Sequence, residues 1–292
     1  MTLDLNEFVA TPRVSDGAWG TQLQQRGLTG GACPELWNVE NPDAVEVVAK
    51  SYVDAGSDVI LTNTFGANRF ALDAHGAGDR AADLCEAGAA ISRRAAGQAV
   101  KVFGSVGPSG EVVMMGEVAE DALAAAFAEA AGALVRGGVD AIVLETFNEL
   151  AEAKLALTAV RDAVDVPVIS SMTFASGPDK TRTMMGDAPA DLAAMAGTCG
   201  AAGVGANCGL GPDGYVKVAA LLCEATDLPV WIKPNAGMPE VRGGETVFPM
   251  GADEFAGYVP RILDAGARVV GGCCGTTPEH IRAIRAAVDA RR

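Results

Sequence analysis

Three cysteines dominate the chemistry open to this chain: Cys208, and the adjacent pair in Gly271-Gly272-Cys273-Cys274-Gly275-Thr276-Thr277-Pro278. Neighbouring side chains on a regular strand point to opposite faces, so joint use of Cys273 and Cys274 on one ion needs a bend, which the flanking glycines permit. A bare Cys-Cys pair is equally two buried thiols or a vicinal disulfide beside a turn. Cys208, if it falls at the same rim, turns the reading toward a metal centre. Three thiolates leave tetrahedral Zn(II) one open position, the arrangement of a catalytic rather than a structural site. A free thiol, with a pKa of about 8.5, is mostly protonated at neutral pH, whereas a metal-bound one is deprotonated. Such a site would supply a thiolate nucleophile, and its net negative charge would keep electron density on the attacking sulfur.

Carboxylates and amides at comparable positions complete the set. Glu145 ends an apolar run and Asp16 follows the first one; each is expected to hold a substrate ammonium, against the plainer role of a helix cap or rim ion pair. Asn207 and Asn235 read as site residues or as turn residues. Trp19 and Trp37 are candidates to wall a pocket. His280, in Thr277-Pro278-Glu279-His280, fits a helix start better than a ligand set, and His75 makes an equally poor ligand. Cys85, Cys199 and Cys223 fall in or near helical stretches and read as small apolar core residues. Cys33 sits in a loop and stays undecided.

These residues need a scaffold that gathers them. Eight short apolar runs recur, near residues 14–16, 58–62, 100–104, 141–145, 166–170, 203–207, 228–232 and 267–271. Ala-rich stretches with helical spacing separate them, at 43–55, 79–96, 119–136, 149–164, 189–198, 214–225, 253–265 and 278–290. Nearly continuous apolar strands are expected where helices cover both faces of a sheet. Eight strand-helix alternations predict a single-domain (β/α)8 TIM barrel over residues 1–292, whose active site forms from the loops at the C-terminal ends of the strands. The competing doubly wound sheet is disfavoured, because Asp16-Gly17-Ala18-Trp19-Gly20 is not the glycine fingerprint of a dinucleotide site.

Bulk properties exclude several function classes. With 22 Lys+Arg against 37 Asp+Glu, the formal charge is -15. A field of that sign repels phosphate backbones and anionic lipid, so neither nucleic acid nor a membrane surface is an expected partner. Residues 1–12 carry Asp4 and Glu7 and lack the basic and apolar regions of a secretory signal, and no apolar run approaches the roughly 20 residues of a membrane span. A cytoplasmic location follows as the expectation, and there seven cysteines are expected as thiols or ligands rather than disulfides.

Taken together, Asp16-Gly17-Ala18-Trp19-Gly20-Thr21, Thr62 to Asn68, Glu145-Thr146-Phe147, Asn207 to Pro212, Pro234-Asn235-Ala236-Gly237 and Gly271 to His280 resemble the homocysteine S-methyltransferase family nearly end to end. The chain is most similar to the homocysteine-binding module of cobalamin-dependent methionine synthase. That resemblance implies Zn(II) on Cys208, Cys273 and Cys274, with homocysteine held by Asp16, Glu145 and backbone groups of Ala18, Trp19 and Gly20. Betaine-using relatives carry a cage of aromatic residues at positions that fall near Ala32, Gly66 and Thr146, none aromatic here. With the chain ending at Arg292, the methyl group is expected from a separate methylcorrinoid protein. S-methylmethionine or betaine, another thiol or selenol acceptor, and a zinc-stabilised barrel that binds thiols without turnover are the alternatives. Small residues expected at the rim, Ala32, Gly66, Ala67 and Gly107, predict an open mouth.

Overall fold

The computed structural model describes residues 2–243 and 245–291, so the two ends of the expected domain, Met1 and Arg292, lie outside it. Its main sheet has eight parallel strands: β1 (Arg13–Val14), β2 (Val59–Leu61), β3 (Lys101–Val106), β4 (Ala141–Phe147), β5 (Val168–Met172), β6 (Gly203–Asn207), β7 (Val230–Lys233) and β10 (Val269–Val270). The spatial order β1-β10-β7-β6-β5-β4-β3-β2 wraps the sheet into a (β/α)8 barrel. Regular ladders join every neighbouring pair except β1 and β2. Carboxylates help close that seam: Asp58 Oδ2 accepts from the Val14 amide at 2.7 Å, Asp16 Oδ2 accepts from the Leu61 amide at 2.8 Å, and Asp58 N–H donates to the Val14 carbonyl at 2.8 Å.

Strand alternation divides the barrel interior into two floors. Phe103, Val143, Ile169 and Trp231 pack together in the lower half, with Phe103 and Trp231 stacked at 5.7 Å. Two residues further along the same strands, and so on the same face, come Ser105, Glu145, Ser171 and Lys233. The N-terminal helix α1 (Leu5–Phe8) plugs the lower end, capped by Asp4 and packing Leu5, Phe8 and Val9 against that aromatic floor. One barrel thus has an apolar base and a polar C-terminal half.

The outer helices follow the sequence reading closely, for example Glu120–Arg136 and Pro189–Thr198. The exception is the stretch at 253–265, which is two helices, Ala252–Ala256 and Val259–Asp264. Pro260 explains the break: it has no amide hydrogen, and its ring clashes with the carbonyl four residues back, that of Ala256. A second departure is the exposed antiparallel hairpin of β8 (Glu240–Arg242) and β9 (Glu245–Val247) after β7. No described helix is long and apolar enough to cross a membrane.

Candidate metal and substrate site

Cys208, Cys273 and Cys274 meet at the C-terminal end of the barrel, with their sulfurs all within 4.8 Å of one another. Tetrahedral Zn(II) with Zn–S bonds of about 2.3 Å requires sulfurs roughly 3.8 Å apart. Cys208 Sγ and Cys274 Sγ are separated by 3.9 Å, so the donor set fits in both softness and spacing.

The cysteines reach this position by departures from regular strand geometry. Cys208 follows β6 in the left-handed region at φ 63. Its amide donates to the Lys233 carbonyl at 3.1 Å. Cys273 and Cys274 lie in a turn beyond β10, as the need for a bend predicted, with the Cys273 amide on the Pro234 carbonyl at 2.7 Å and the Cys274 amide on Asn235 Oδ1 at 3.1 Å. At Gly272 a Cβ would lie 2.4 Å from Thr276 Oγ1, so no side chain fits there. Crowding makes the three thiols share charge unequally: hydrogen bonds from Cys273 and Cys274 hold Cys208 far below the usual thiol range, and hydrogen bonding to Cys208 raises both partners. A cation among them would relieve that competition.

Asn207, expected on the substrate, lies at the end of β6 among protein partners. It is fully buried, with its Oδ1 accepting from the Thr146 amide at 3.0 Å and from Ser171 Oγ at 2.7 Å. Its Nδ2 donates to Thr146 Oγ1 at 2.6 Å, and its carbonyl accepts from Tyr215 Oη at 2.8 Å. These bonds hold Thr146 at φ 68, a conformation a β-branched residue rarely adopts, where the β4 register shifts just past Glu145.

Beside the sulfurs opens a cavity of about 570 Å³ lined by, among others, Trp19, Glu35, Thr64, Glu145, Lys233 and the cysteine cluster. Glu145 lines it and, among the described residues, accepts a side-chain hydrogen bond from Ser105 Oγ. Burial raises the Glu145 pKa, Lys233 and the serine pulling the other way. Asp16 lies beneath the cavity, tied into the barrel. It has no exposed surface and is saturated by Lys233 Nζ at 2.7 Å, Trp19 Nε1 at 2.8 Å, the Leu61 amide and Ser15 Oγ at 3.1 Å. Its carboxylate ties β1, β2 and β7 together. Ala18 also turns inward, with its amide on Thr276 Oγ1 and its carbonyl on Tyr52 Oη. Trp19 and Gly20 do line the cavity, at the start of helix α2 (Gly20–Gln24). Thr21 Oγ1 in that first turn is buried and has no partner among the described residues.

Other sequence candidates sort themselves. His280 caps the last helix, its Nδ1 accepting from the Thr277 amide at 3.2 Å while its Nε2 meets the Met250 carbonyl at 3.0 Å. His75 is exposed at the cavity edge. Cys33 is a buried thiol pushed up to about 12 by burial and by Glu35, to whose Oε2 it donates at 3.1 Å. Trp37 packs against the core instead of walling the cavity. Of the small residues expected to open the mouth, Gly66 lines it, but Ala67 is buried and a Cβ at Gly107 would fall 2.6 Å from Phe65. Glu35, Thr21 and Lys233 also line the cavity, and none of them had a role on sequence alone. Lys233 had a signal, a lysine closing an apolar strand of alternating inward positions.

The chain matches the family model for homocysteine S-methyltransferase over residues 13–288. It belongs to the homocysteine S-methyltransferase family. It is 36% identical to the methionine synthase of Mycobacterium tuberculosis and 35% to that of Mycobacterium leprae, each over 94% of this chain. The match spans 24% of the length of each of those relatives. Its fold is that of the homocysteine methyltransferase MmuM from Escherichia coli. The metallated form superposes with a TM-score of 0.79 at 24% identity, covering 97% of this chain and 99% of that one. The oxidised form gives 0.75 at 26% identity over 94% and 95%. As a member of this family, the chain carries its three-sulfur cluster where a barrel enzyme is expected to hold its reactive groups.

Proposed function

We propose that this chain is a Zn(II)-dependent methyltransferase that converts homocysteine to methionine, taking the methyl group from a separate methylcorrinoid protein. The observation that carries the reading is three convergent cysteine sulfurs on the wall of a cavity that also presents Glu145. Zinc bound there would supply substrate-thiol deprotonation at neutral pH while retaining one open position. The chain's own residues do the rest. Glu145 accepts hydrogen bonds from the homocysteine ammonium, a charge-assisted contact in a site of low dielectric. Trp19, held by Asp16, walls the pocket, and the first turn of α2 offers Gly20 and Thr21 as further donors. Methyl transfer forms a sulfur-carbon bond as the bond from methyl to its carrier breaks, and in-line attack needs the donor opposite the sulfur.

The mouth favours a macromolecular donor. At the same end of the barrel as the cavity, the segments after β2, β3, β5 and β7 expose Phe65, which lines it, and Met114, Met115, Met184, Met238 and Val241, with Met114, Met115, Met184 and Val241 at 70–79% of full exposure. Large apolar side chains this exposed mark interaction surfaces, and methionine suits a partner that docks and leaves in each cycle. The absence of aromatic side chains at Ala32, Gly66 and Thr146 argues against a betaine cage.

The test is methionine formation by zinc-loaded, reduced protein. Turnover is expected with a methylated corrinoid protein and homocysteine, with little from betaine. Rapid methionine formation from S-methylmethionine or betaine without a corrinoid would move the assignment to a self-sufficient small-donor enzyme.

A further inference from the structure

Residues 109–121, beyond β3, read Ser-Gly-Glu-Val-Val-Met-Met-Gly-Glu-Val-Ala-Glu-Asp, with four acids and no lysine or arginine. Of the apolar side chains in this loop, Val113 and Val118 are half-buried against the core, whereas Met114 and Met115 stand 73% and 70% exposed. A loop with so little apolar burial is ordinarily mobile. This one is held by two carboxylates from the start of the helix Leu150–Ala163. Glu149, the residue that precedes the helix, accepts from the Val113 amide at 3.0 Å through Oε2 and from the Met114 amide at 2.9 Å through Oε1. In the first turn, Glu152 Oε1 accepts from the Ser109 amide at 2.7 Å and from Ser109 Oγ at 2.5 Å. The same helix start also holds the loop after β5, beside the exposed Met184: Asp187 Oδ2 accepts from the Leu150 amide at 3.2 Å and from Thr183 Oγ1 at 3.0 Å.

Both anchors are buried, and amides and a serine hydroxyl, rather than a cation, meet their oxygens. Burial pushes the Glu152 carboxyl up, Ser109 pulls the other way, and Glu149 adds to the rise. Holding a loop this way is costly compared with burying its apolar side chains. It has a different result: the carboxylates grip the backbone, so Met114 and Met115 stay outward on a fixed frame. We propose that Glu149 and Glu152 are positioning residues for docking of the methyl-donor protein, holding the loop after β3 as a preformed apolar face for a partner patch that is apolar and rimmed by lysine or arginine. This deepens the donor reading above and rests on it. A preformed face spares the complex the entropy of ordering the loop at the moment of contact. The basic rim follows from charge complementarity, since Glu117, Glu120 and Asp121 are exposed at the margin of the methionines with no basic residue among them.

Steady-state methylation of homocysteine by zinc-loaded protein would compare a methylcorrinoid protein with free methylcobalamin, which brings a methyl group without a protein surface. Glu149→Ala should raise the KM for the protein donor by about 5- to 30-fold, as loss of a docking contact does. Turnover with free methylcobalamin and the homocysteine Kd should stay within about twofold, as for a change remote from the cavity. Hydrogen exchange at the Val113 and Met114 amides should quicken by about 10- to 150-fold, the range of one lost charge-assisted hydrogen bond. Glu117→Gln/Glu120→Gln leaves both anchors in place and should raise the KM for the protein donor by about 2- to 10-fold at low salt while flattening its rise with ionic strength. If Glu149→Ala does not fold, Glu149→Gln, which keeps one acceptor oxygen, reads the same contrast between donors. Equal losses with both donors would reduce Glu149 to a general support and overturn the proposal. An unchanged KM for the protein donor despite quickened exchange would overturn it as well, and a KM indifferent to salt in unmodified protein would remove the basic rim. Failure of the donor reading itself looks different: unmodified protein would then form no methionine from the corrinoid protein, and the proposal would fall with it.

Discussion

Replacing Asp16 by Asn should destabilise the protein far more than a substrate-contacting carboxylate would. Asp16 accepts from Lys233 Nζ, Trp19 Nε1, the Leu61 amide and Ser15 Oγ, with no exposed surface. An Asn side chain presents one oxygen, so at least one edge of that arrangement meets an NH2 group instead of an acceptor, and Lys233 is left as an uncompensated buried cation. Breaking a buried ion pair from one side costs about 3–5 kcal/mol. Unfolding entropy of about 2.1 cal/mol/K per residue over 292 residues gives roughly 0.6 kcal/mol/K, so the melting temperature should fall by roughly 5–8 °C. Differential scanning calorimetry of the reduced, metal-free protein measures it. Adding Lys233→Met removes the orphaned charge and should recover much of the loss, a coupling that a double-mutant cycle isolates. A shift for Asp16→Asn smaller than about 2 °C, which corresponds to roughly 1 kcal/mol on the same scale, would refute the role of Asp16 as the lock between β1, β2 and β7. So would a double variant no more stable than the single one.

Glu145→Gln should weaken homocysteine binding by about 10- to 150-fold, measured by calorimetry on zinc-loaded protein. In metal-free protein the same change should raise stability at neutral pH, because burial lifts the Glu145 pKa and its ionised form therefore opposes folding. That gain should vanish as pH falls below the ordinary carboxylate range, where the carboxyl is protonated in both folded and unfolded states, and a pH series of melting curves reads it. Asn207→Ala should lower zinc affinity by roughly 10- to 100-fold, the usual cost of losing a residue that supports a ligand, as measured by chelator competition. Met114→Ser/Met184→Ser should raise the KM for a methylcorrinoid protein by roughly 5- to 30-fold, in line with loss of about 1–2 kcal/mol at a docking surface, while the homocysteine Kd stays unchanged.

Much of the fold was legible because each barrel strand is a short apolar run ended by turn residues, and each outer helix keeps one apolar face. Val259–Asp264 was merged with its predecessor because the helical spacing runs through Pro260, whose effect is local and leaves the periodicity intact. The hairpin of β8 and β9 lacks a buried face, so no alternation announced it; the Gly243-Gly244 step was the available signal. Cysteine placement was readable because the strand ends of a barrel share one rim. Charge pairing was not. The protein partners of Asp16 and Asn207 lie 217 residues away at Lys233 and 61 away at Thr146, which no local pattern encodes. The carboxylates that help close the β1–β2 seam, Asp16 and Asp58, likewise look in sequence like ordinary strand-end acids.

On the proposed function, the cysteine cluster binds zinc and presents its open position to the substrate sulfur. Zinc-edge X-ray absorption of the loaded protein with and without homocysteine tests it most directly. Three sulfurs and one lighter atom should surround the metal in free protein, and a fourth sulfur at about 2.3 Å should replace the lighter atom when homocysteine is added. A shell that keeps three sulfurs and its lighter ligand at saturating homocysteine would contradict the account.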